Sequence, residues 1–325
     1  MQNQKLDLSV VVPVYSETDS LSKICDQFKT TVCGSVSYEI IFVNDGNINN
    51  DVYRAVEALR LFREVRVIHL SRNFGQHIAI AAGMKNANGK HVLIMDADLQ
   101  YIPADAFRMY QEAVRQNKSA VISVIKNRSH SLFKRITAKA YYQFMTWLGI
   151  PIRQDIGSMF VISSATANGL LTMNDRFRMT LPMVFWLSGD IAYFELDHFE
   201  RDSGRSGYNF VRLFSLALNG ITGFSAKPLY LSIVFACVFA VLALVFGGIL
   251  IFKTFLLKQT FLAGWLSTIL LILVSVSMLL GCLGIIGIYL GKIFEMVNSR
   301  PLYFVQESKG NGDDGQDKVK LFEAR

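Results

Sequence analysis

Five stretches in the first 126 residues read as strands, several of them nearly unbroken apolar runs: LSVVVPVY (8–15), YEIIFVND (38–45), VRVIHLSR (65–72), HVLIMDAD (91–98) and AVISVIK (120–126). Runs of this length, rich in Val and Ile, predict strands covered on both faces. Between them, DVYRAVEALRLF (51–62) and GQHIAIAAGMKNA (75–87) space their apolar residues as helices do. Strand and helix in alternation predict an α/β domain with a mostly parallel sheet. In such sheets, ligands bind beyond the carboxyl ends of the strands.

The pattern changes near the C-terminus. No charged residue occurs from Pro228 to Phe252, or again from Gln259 to Gly291. Each run exceeds the roughly 20 residues that cross a bilayer core as a helix, so two transmembrane helices are predicted. Lys227 precedes the first span, Lys292 and Arg300 follow the second, and Lys253 and Lys258 lie in the loop between. MQNQKLDLSV lacks the apolar core of a signal peptide. These features predict a cytoplasmic catalytic domain, a two-span hairpin and both termini in the cytoplasm.

Composition agrees. The chain is 51% hydrophobic and 18% charged, with net charge +7, and its mean hydropathy is +0.31. The positive balance suits an anionic lipid surface or phosphate ligands. Without a basic-aromatic repeat or zinc-finger spacing, it does not point to nucleic acid. Cys25, Cys33, Cys237 and Cys282 form no CxxC pair and read as reduced packing residues. His77 and His91 read as surface or packing residues, since the five histidines show no metal-ligand spacing.

Candidate chemistry gathers where the strands end. The first run closes on Pro13, Tyr15 and Glu17, the second on Asn44, Asp45 and Gly46, the third on Arg72 and Asn73, and the fourth on Asp96, Asp98 and Gln100. Asp96 and Asp98 alone read equally as a capped loop or as oxygen ligands that bridge a hard cation to phosphate. Four polar ends on one rim make a site. Neither GxGxxG after the first strand nor GxxxxGK[ST] anywhere is present, which argues against a dinucleotide fold or a P-loop enzyme.

VVPVYSE, VNDG, SRNFGQHIAIAAG and DADLQ, in this order, resemble the inverting family 2 glycosyltransferases of the GT-A fold. SRNFG and DADLQ together with two C-terminal spans are similar to the polyprenyl-phosphate glycosyltransferases within that family. The resemblance implies a GT-A, Rossmann-like catalytic domain carrying interfacial amphipathic helices and two C-terminal transmembrane helices. It implies a nucleotide-sugar pocket at Pro13, Tyr15, Glu17, Asp45 and Asp96, and Mg²⁺ or Mn²⁺ held by Asp98 and Gln100. Asp96, Asp98 and Arg201 are the expected catalytic residues. Expected partners are a nucleoside-diphosphate sugar, polyprenyl phosphate and membrane lipid; a homo-oligomer is left open. The expected location is a bacterial inner membrane, in an envelope pathway such as O-antigen or lipopolysaccharide assembly.

HSLFKRITAKAYYQFMTWL (130–148) reads equally as an interfacial helix or an ordinary domain helix, whereas NFVRLFSLALNGITGF (209–224) leads into the first span and favours the interface. The segment FERDSGRSGYNF (199–210) matches the acceptor-loop pattern at Arg201, Gly204, Ser206 and Tyr208, and Arg201 and Arg205 would neutralise phosphate. Lys126 and Arg128 are further phosphate candidates. The expected divisions are a catalytic domain at 1–207, an interfacial helix at 208–227, the hairpin at 228–291 and a cytoplasmic, partly disordered tail at 292–325, whose polar end ESKGNGDDGQDKVKLFEAR (307–325) is expected to be mobile.

Three departures from the family pattern matter. Ser16 stands before Glu17 where relatives carry Asn, and Gly207 replaces a Lys. Relatives also read GDFRL where this chain has DIGSMFV, so Ser158 and Phe160 replace Asp and Arg, with Asp155 nearby. A hydroxyl nucleophile needs a base, worth roughly 10²–10⁴ in rate. A lipid monophosphate, with a second pKa near ~6, is already largely dianionic and does not. The missing carboxylate therefore favours a lipid-phosphate acceptor. Two alternatives remain: transfer to a hydroxyl of a lipid-linked saccharide, or a non-catalytic partner that keeps the pocket.

Overall fold

The computed structural model describes residues 6–47, 50–126, 143, 146, 155–173, 180–197, 226–256, 265–298 and 300–306. The chain divides into two compact units. One comprises 1–146, 151–207 and 300–325, and the other 147–150 and 208–299.

The first unit is built on an eight-stranded sheet. Its strands are β1 (Leu8–Val14), β2 (Tyr38–Asn44), β3 (Val65–Leu70), β4 (His91–Ile94), β5 (Ala120–Lys126), β6 (Ile156–Ser163), β7 (Ile191–Asp197) and β8 (Val305–Gln306), in the order β7-β5-β6-β4-β1-β2-β3-β8. β1 pairs in parallel with β2 and β4, as do β2 with β3 and β5 with β7; only β6 and β8 run against their neighbours. The five predicted strands are present and mutually parallel. GT-A-like order follows from the antiparallel β6 wedged between β4 and β5.

Helices α1 (Leu21–Val32), α2 (Asn50–Ala58, continued by a 3₁₀ turn, Leu59–Leu61), α3 (Gln76–Lys85), α4 (Pro103–Gln116), α5 (Ser164–Thr172) and α6 (Thr180–Leu187) complete this unit. Alternate residues of β1, Leu8, Val10, Val12 and Val14, join Phe28 of α1 and Met109 of α4 in one apolar cluster. Val11, between them, is equally buried. β1 is thus sealed on both sides, as its continuous apolar run requires.

The fourth apolar run outlasts its strand. β4 leaves the ladder after Ile94, yet Met95 and Ala97 stay buried, so Asp96 and Asp98 lie in the loop beyond it. At the far edge, Val305 and Gln306 pair with Leu70 and His69, and Ser71 N donates to Phe304 O at 2.9 Å. This short strand covers what would be an open sheet edge. The stretch expected as a tail from 292 thus begins as helix and then supplies an edge strand; residues 307–325 lie outside the described residues.

The second unit contains α7 (Lys227–Leu256) and α8 (Trp265–Val297). Their apolar segments Ser232–Ile249 and Leu271–Val297 have mean hydropathies of 2.7 and 2.6, and neither is buried by protein. Both are long and apolar enough to span a membrane. Small residues on facing turns, among them Ser232, Ala236, Ser275 and Cys282, leave a groove between them. All four cysteines are free; Cys25 packs in the core, but Cys33 is exposed at the left-handed C-cap of α1, so it is not a packing residue.

Candidate active site

The carboxyl ends of β1 to β4 form one rim because these strands are parallel. At the end of β1, Pro13 is buried, Tyr15 is 51% exposed, and Glu17 turns back so that its carboxylate accepts Tyr15 N and Ser16 N, both at 3.0 Å. Asp45, one residue past β2, is 4% exposed. Its two carboxylate oxygens accept the backbone N–H groups of Phe74 (2.8 Å) and Gly75 (2.9 Å). Burial raises its pKa above the ordinary carboxylate range, against the pull of those two bonds.

That arrangement explains the glycine of VNDG. Gly46 has φ +64°, and a Cβ there would collide with the Arg72 backbone, so only glycine lets the loop after β3 close over Asp45. The Arg72 guanidinium lies 4.4 Å from the centre of the Phe74 ring.

Beyond β4, Asp96 gathers two neutral donors. Gln76 Nε2 donates to its Oδ1 at 2.6 Å, and Ser158 Oγ to its Oδ2 at 2.5 Å. The antiparallel β6 brings Ser158 here. Ile94 is the register partner of Phe160, and two residues further the same register sets Ser158 opposite Asp96. Gly157 is needed beside it, since a Cβ would strike Ser123 Oγ and Tyr101 Oη. Burial raises the Asp96 pKa; Ser158 and Gln76 oppose the rise, while Asp98 and Glu17 add to it. Phe160 is 2% exposed and belongs to the packed sheet.

Asp98 Oδ1 accepts Gln100 N at 3.1 Å across Leu99, whose φ is +56°. Ser20, just before α1, donates its hydroxyl to Ala97 O and ties the same loop to the start of α1. Among the described residues no group of three or more His, Cys, Asp or Glu is arranged to hold a metal. Asp96, Asp98 and Gln100 offer only carboxylate and amide oxygens, which suits a hard divalent cation rather than a soft one.

His77 Nδ1 lies 3.2 Å from Thr180 Oγ1, and His91 packs edge-on to Tyr110, so both are packing residues. Asp155 O accepts Ile125 N at 2.7 Å, at the entry to β6. Arg128, Arg201, Gly204, Arg205, Ser206 and Tyr208 lie outside the described residues, as do 209–224 and nearly all of 130–148. The structure therefore brings together Tyr15, Glu17, Asp45, Asp96, Asp98 and Gln100. It adds two groups to which sequence reasoning gave no role at Asp96: Gln76, inside the quoted SRNFGQ motif, and the Ser158 hydroxyl as a donor.

The model of glycosyl transferase family 2 matches residues 9–170. An uncharacterized glycosyltransferase of Synechocystis is 30% identical over 310 residues, covering 94% of this chain and 96% of its own. An undecaprenyl-phosphate 4-deoxy-4-formamido-L-arabinose transferase of Klebsiella pneumoniae is 29% identical over 308 residues, 92% of either chain. The solved glucosyl-3-phosphoglycerate synthase of Mycobacterium tuberculosis aligns at 16% identity and TM-score 0.46, covering 67% of this chain and 78% of its own. With the ordered rim and a relative that matches nearly end to end, the chain belongs to glycosyltransferase family 2.

Proposed function

We propose that this protein transfers a single sugar, with inversion, from a nucleoside-diphosphate sugar to polyprenyl phosphate at the cytoplasmic face of a bacterial inner membrane. The nucleotide would lie over Tyr15 and Glu17, with Asp45 fixing the loop that closes the pocket. Pro13 would support that wall from within the sheet.

The acceptor reading rests on one observation. At the position where relatives place a carboxylate, Ser158 presents a hydroxyl whose hydrogen is already given to Asp96. That hydroxyl is no base, and a phosphate nucleophile needs none. A phosphate oxygen would attack the anomeric carbon as the bond to the diphosphate breaks, and the nucleoside diphosphate would depart with the electron pair. Holding both substrates in line supplies much of the acceleration. Arg201, Arg205, Ser206 and Arg128 are the proposed acceptor-phosphate ligands. Asp98 and Gln100, beside Asp96, would hold Mg²⁺ or Mn²⁺; when bound, it would neutralise charge on the departing diphosphate. Two helices able to cross a membrane and a relative named for undecaprenyl phosphate support the lipid acceptor.

The test is a screen of nucleotide sugars with the full chain in lipid, undecaprenyl phosphate or undecaprenol as acceptor, and Mg²⁺ or Mn²⁺. Transfer to the phosphate and none to the alcohol is expected. Transfer to the alcohol would overturn the acceptor assignment.

A further inference from the structure

Behind the rim a buried polar chain runs from α2 to the mouth of the donor pocket. His69 on β3 is 2% exposed and Asn44 on β2 is likewise 2% exposed; they are direct register partners on the α2 side of the sheet. His69 Nε2 lies 2.7 Å from Glu57 Oε1, its Nδ1 lies 3.1 Å from Asn44 Nδ2, and its ring packs on Tyr53 with centroids 4.4 Å apart. Asn44 in turn holds the loop after β2. Its Oδ1 accepts Asn47 N at 3.1 Å, and its Nδ2 faces Asn47 O at 3.4 Å. The Asn47 side-chain amide then donates to Tyr15 O.

The orientation of each group follows from the next. Turning the Asn44 amide over would set oxygen against the Asn47 carbonyl and NH₂ against the Asn47 N–H, losing both bonds. Nδ2 must therefore point at His69, and a donor there requires Nδ1 to be an acceptor. Nε2 then carries the hydrogen and gives it to Glu57. An imidazolium would turn Nδ1 into a second donor facing Asn44. Burial, the larger effect, lowers the His69 pKa and Arg60 lowers it further, while Glu57 raises it; the net shift is downward, in the same sense as the hydrogen-bond geometry.

We propose that His69, as the Nε2–H tautomer, is a positioning residue of the donor site: through Asn44 and Asn47 it sets the Tyr15 and Asn47 loops that border the nucleotide pocket. This rests on reading that rim as the donor pocket. Among the described residues, the titratable and polar side chains found around the ring are Glu57 and Tyr53 of α2, Arg60 of the 3₁₀ turn and Asn44 of β2.

Two amide substitutions separate the two ring nitrogens. In His69→Asn an oxygen can take the place of Nδ1 and keep Asn44, giving up Glu57. In His69→Gln an NH₂ can take the place of Nε2 and keep Glu57, giving up Asn44. Hydrogen exchange across residues 44–47 of the full chain in detergent should accelerate at least tenfold in His69→Gln and stay within about threefold of the parent in His69→Asn. KM for the nucleotide sugar should rise about tenfold in His69→Gln with kcat within about twofold, and hold in His69→Asn. As pH falls through the His69 pKa, which burial sets below the ordinary imidazole value, the KM of the parent should climb as the ring charges, a rise missing from His69→Asn. If the two variants match each other in exchange, His69 is ordinary packing and the proposal fails. If the parent uses no nucleotide sugar, the functional reading fails, while the exchange comparison still decides the role of His69.

Discussion

The two ends of one sheet treat carboxylates in opposite ways. At the amino ends of the strands, Glu39 accepts Ser9 Oγ (2.7 Å) and Asn88 N (2.8 Å) and pairs with Arg66 at 2.9 Å, and Asp7 pairs with Lys90 at 2.8 Å. Both are held below the ordinary carboxylate range, Asp7 at about 2 through its bonds to Lys90 and Ser37. At the carboxyl ends, Asp45 and Asp96 are pushed up by burial, and among the described residues they meet only neutral donors. The amino end is finished; its charges are cancelled from within. At the carboxyl end, by contrast, neither Asp45 nor Asp96 is paired with a cation among the described residues.

The largest effect should come from the carboxyl rim. Asp98→Ala should lower kcat/KM for sugar transfer by about 10²–10³ and abolish any Mn²⁺-dependent rise in Tm, while Tm without metal holds. An unchanged rate would break the contrast between the two ends. Next, Asp45→Asn places an NH₂ against a backbone N–H of the Phe74–Gly75 loop; KM for the nucleotide sugar should rise about tenfold, read from initial rates.

At the amino end the readout moves from rate to stability. Glu39→Gln removes the Arg66 pair and should cost roughly 1–3 kcal/mol in denaturant unfolding, with turnover at permissive temperature unchanged. The smallest effect is on acid sensitivity. The Asp7 pKa is depressed, so its stabilisation is full above the unfolded value of 3.8 and is lost as pH falls through about 2. Asp7→Asn should flatten that part of the Tm–pH curve; an unaltered curve would show that Lys90 contributes nothing there.

The same contrast marks what the sequence could reveal. β1 and β2 were legible because burial on both faces writes a continuous apolar run. β6 was not, for IGSMFVIS has Gly157 and Ser158 as its second and third residues, and its place between β4 and β5 depends on pairings remote in sequence. β8 is two residues long and exists only through the edge of β3. Motifs pointed to Asp45, Asp96 and Asp98, since each lies within four residues of the end of its strand. They could not give the partners: Ser158 lies 62 residues from Asp96, and Phe74 lies 29 from Asp45. The His69–Asn44 pair was hidden for the same reason, within runs that otherwise read as apolar strand.

The central claim is best tested by the mass of the lipid product. The full chain in lipid should receive polyprenyl phosphate, a panel of nucleotide sugars and Mg²⁺ or Mn²⁺, and the extracted lipid should go to mass spectrometry. A species of one polyprenyl chain, one phosphate and one sugar is predicted, absent with Asp98→Ala. A longer glycan, or unmodified lipid with every sugar, would contradict the account.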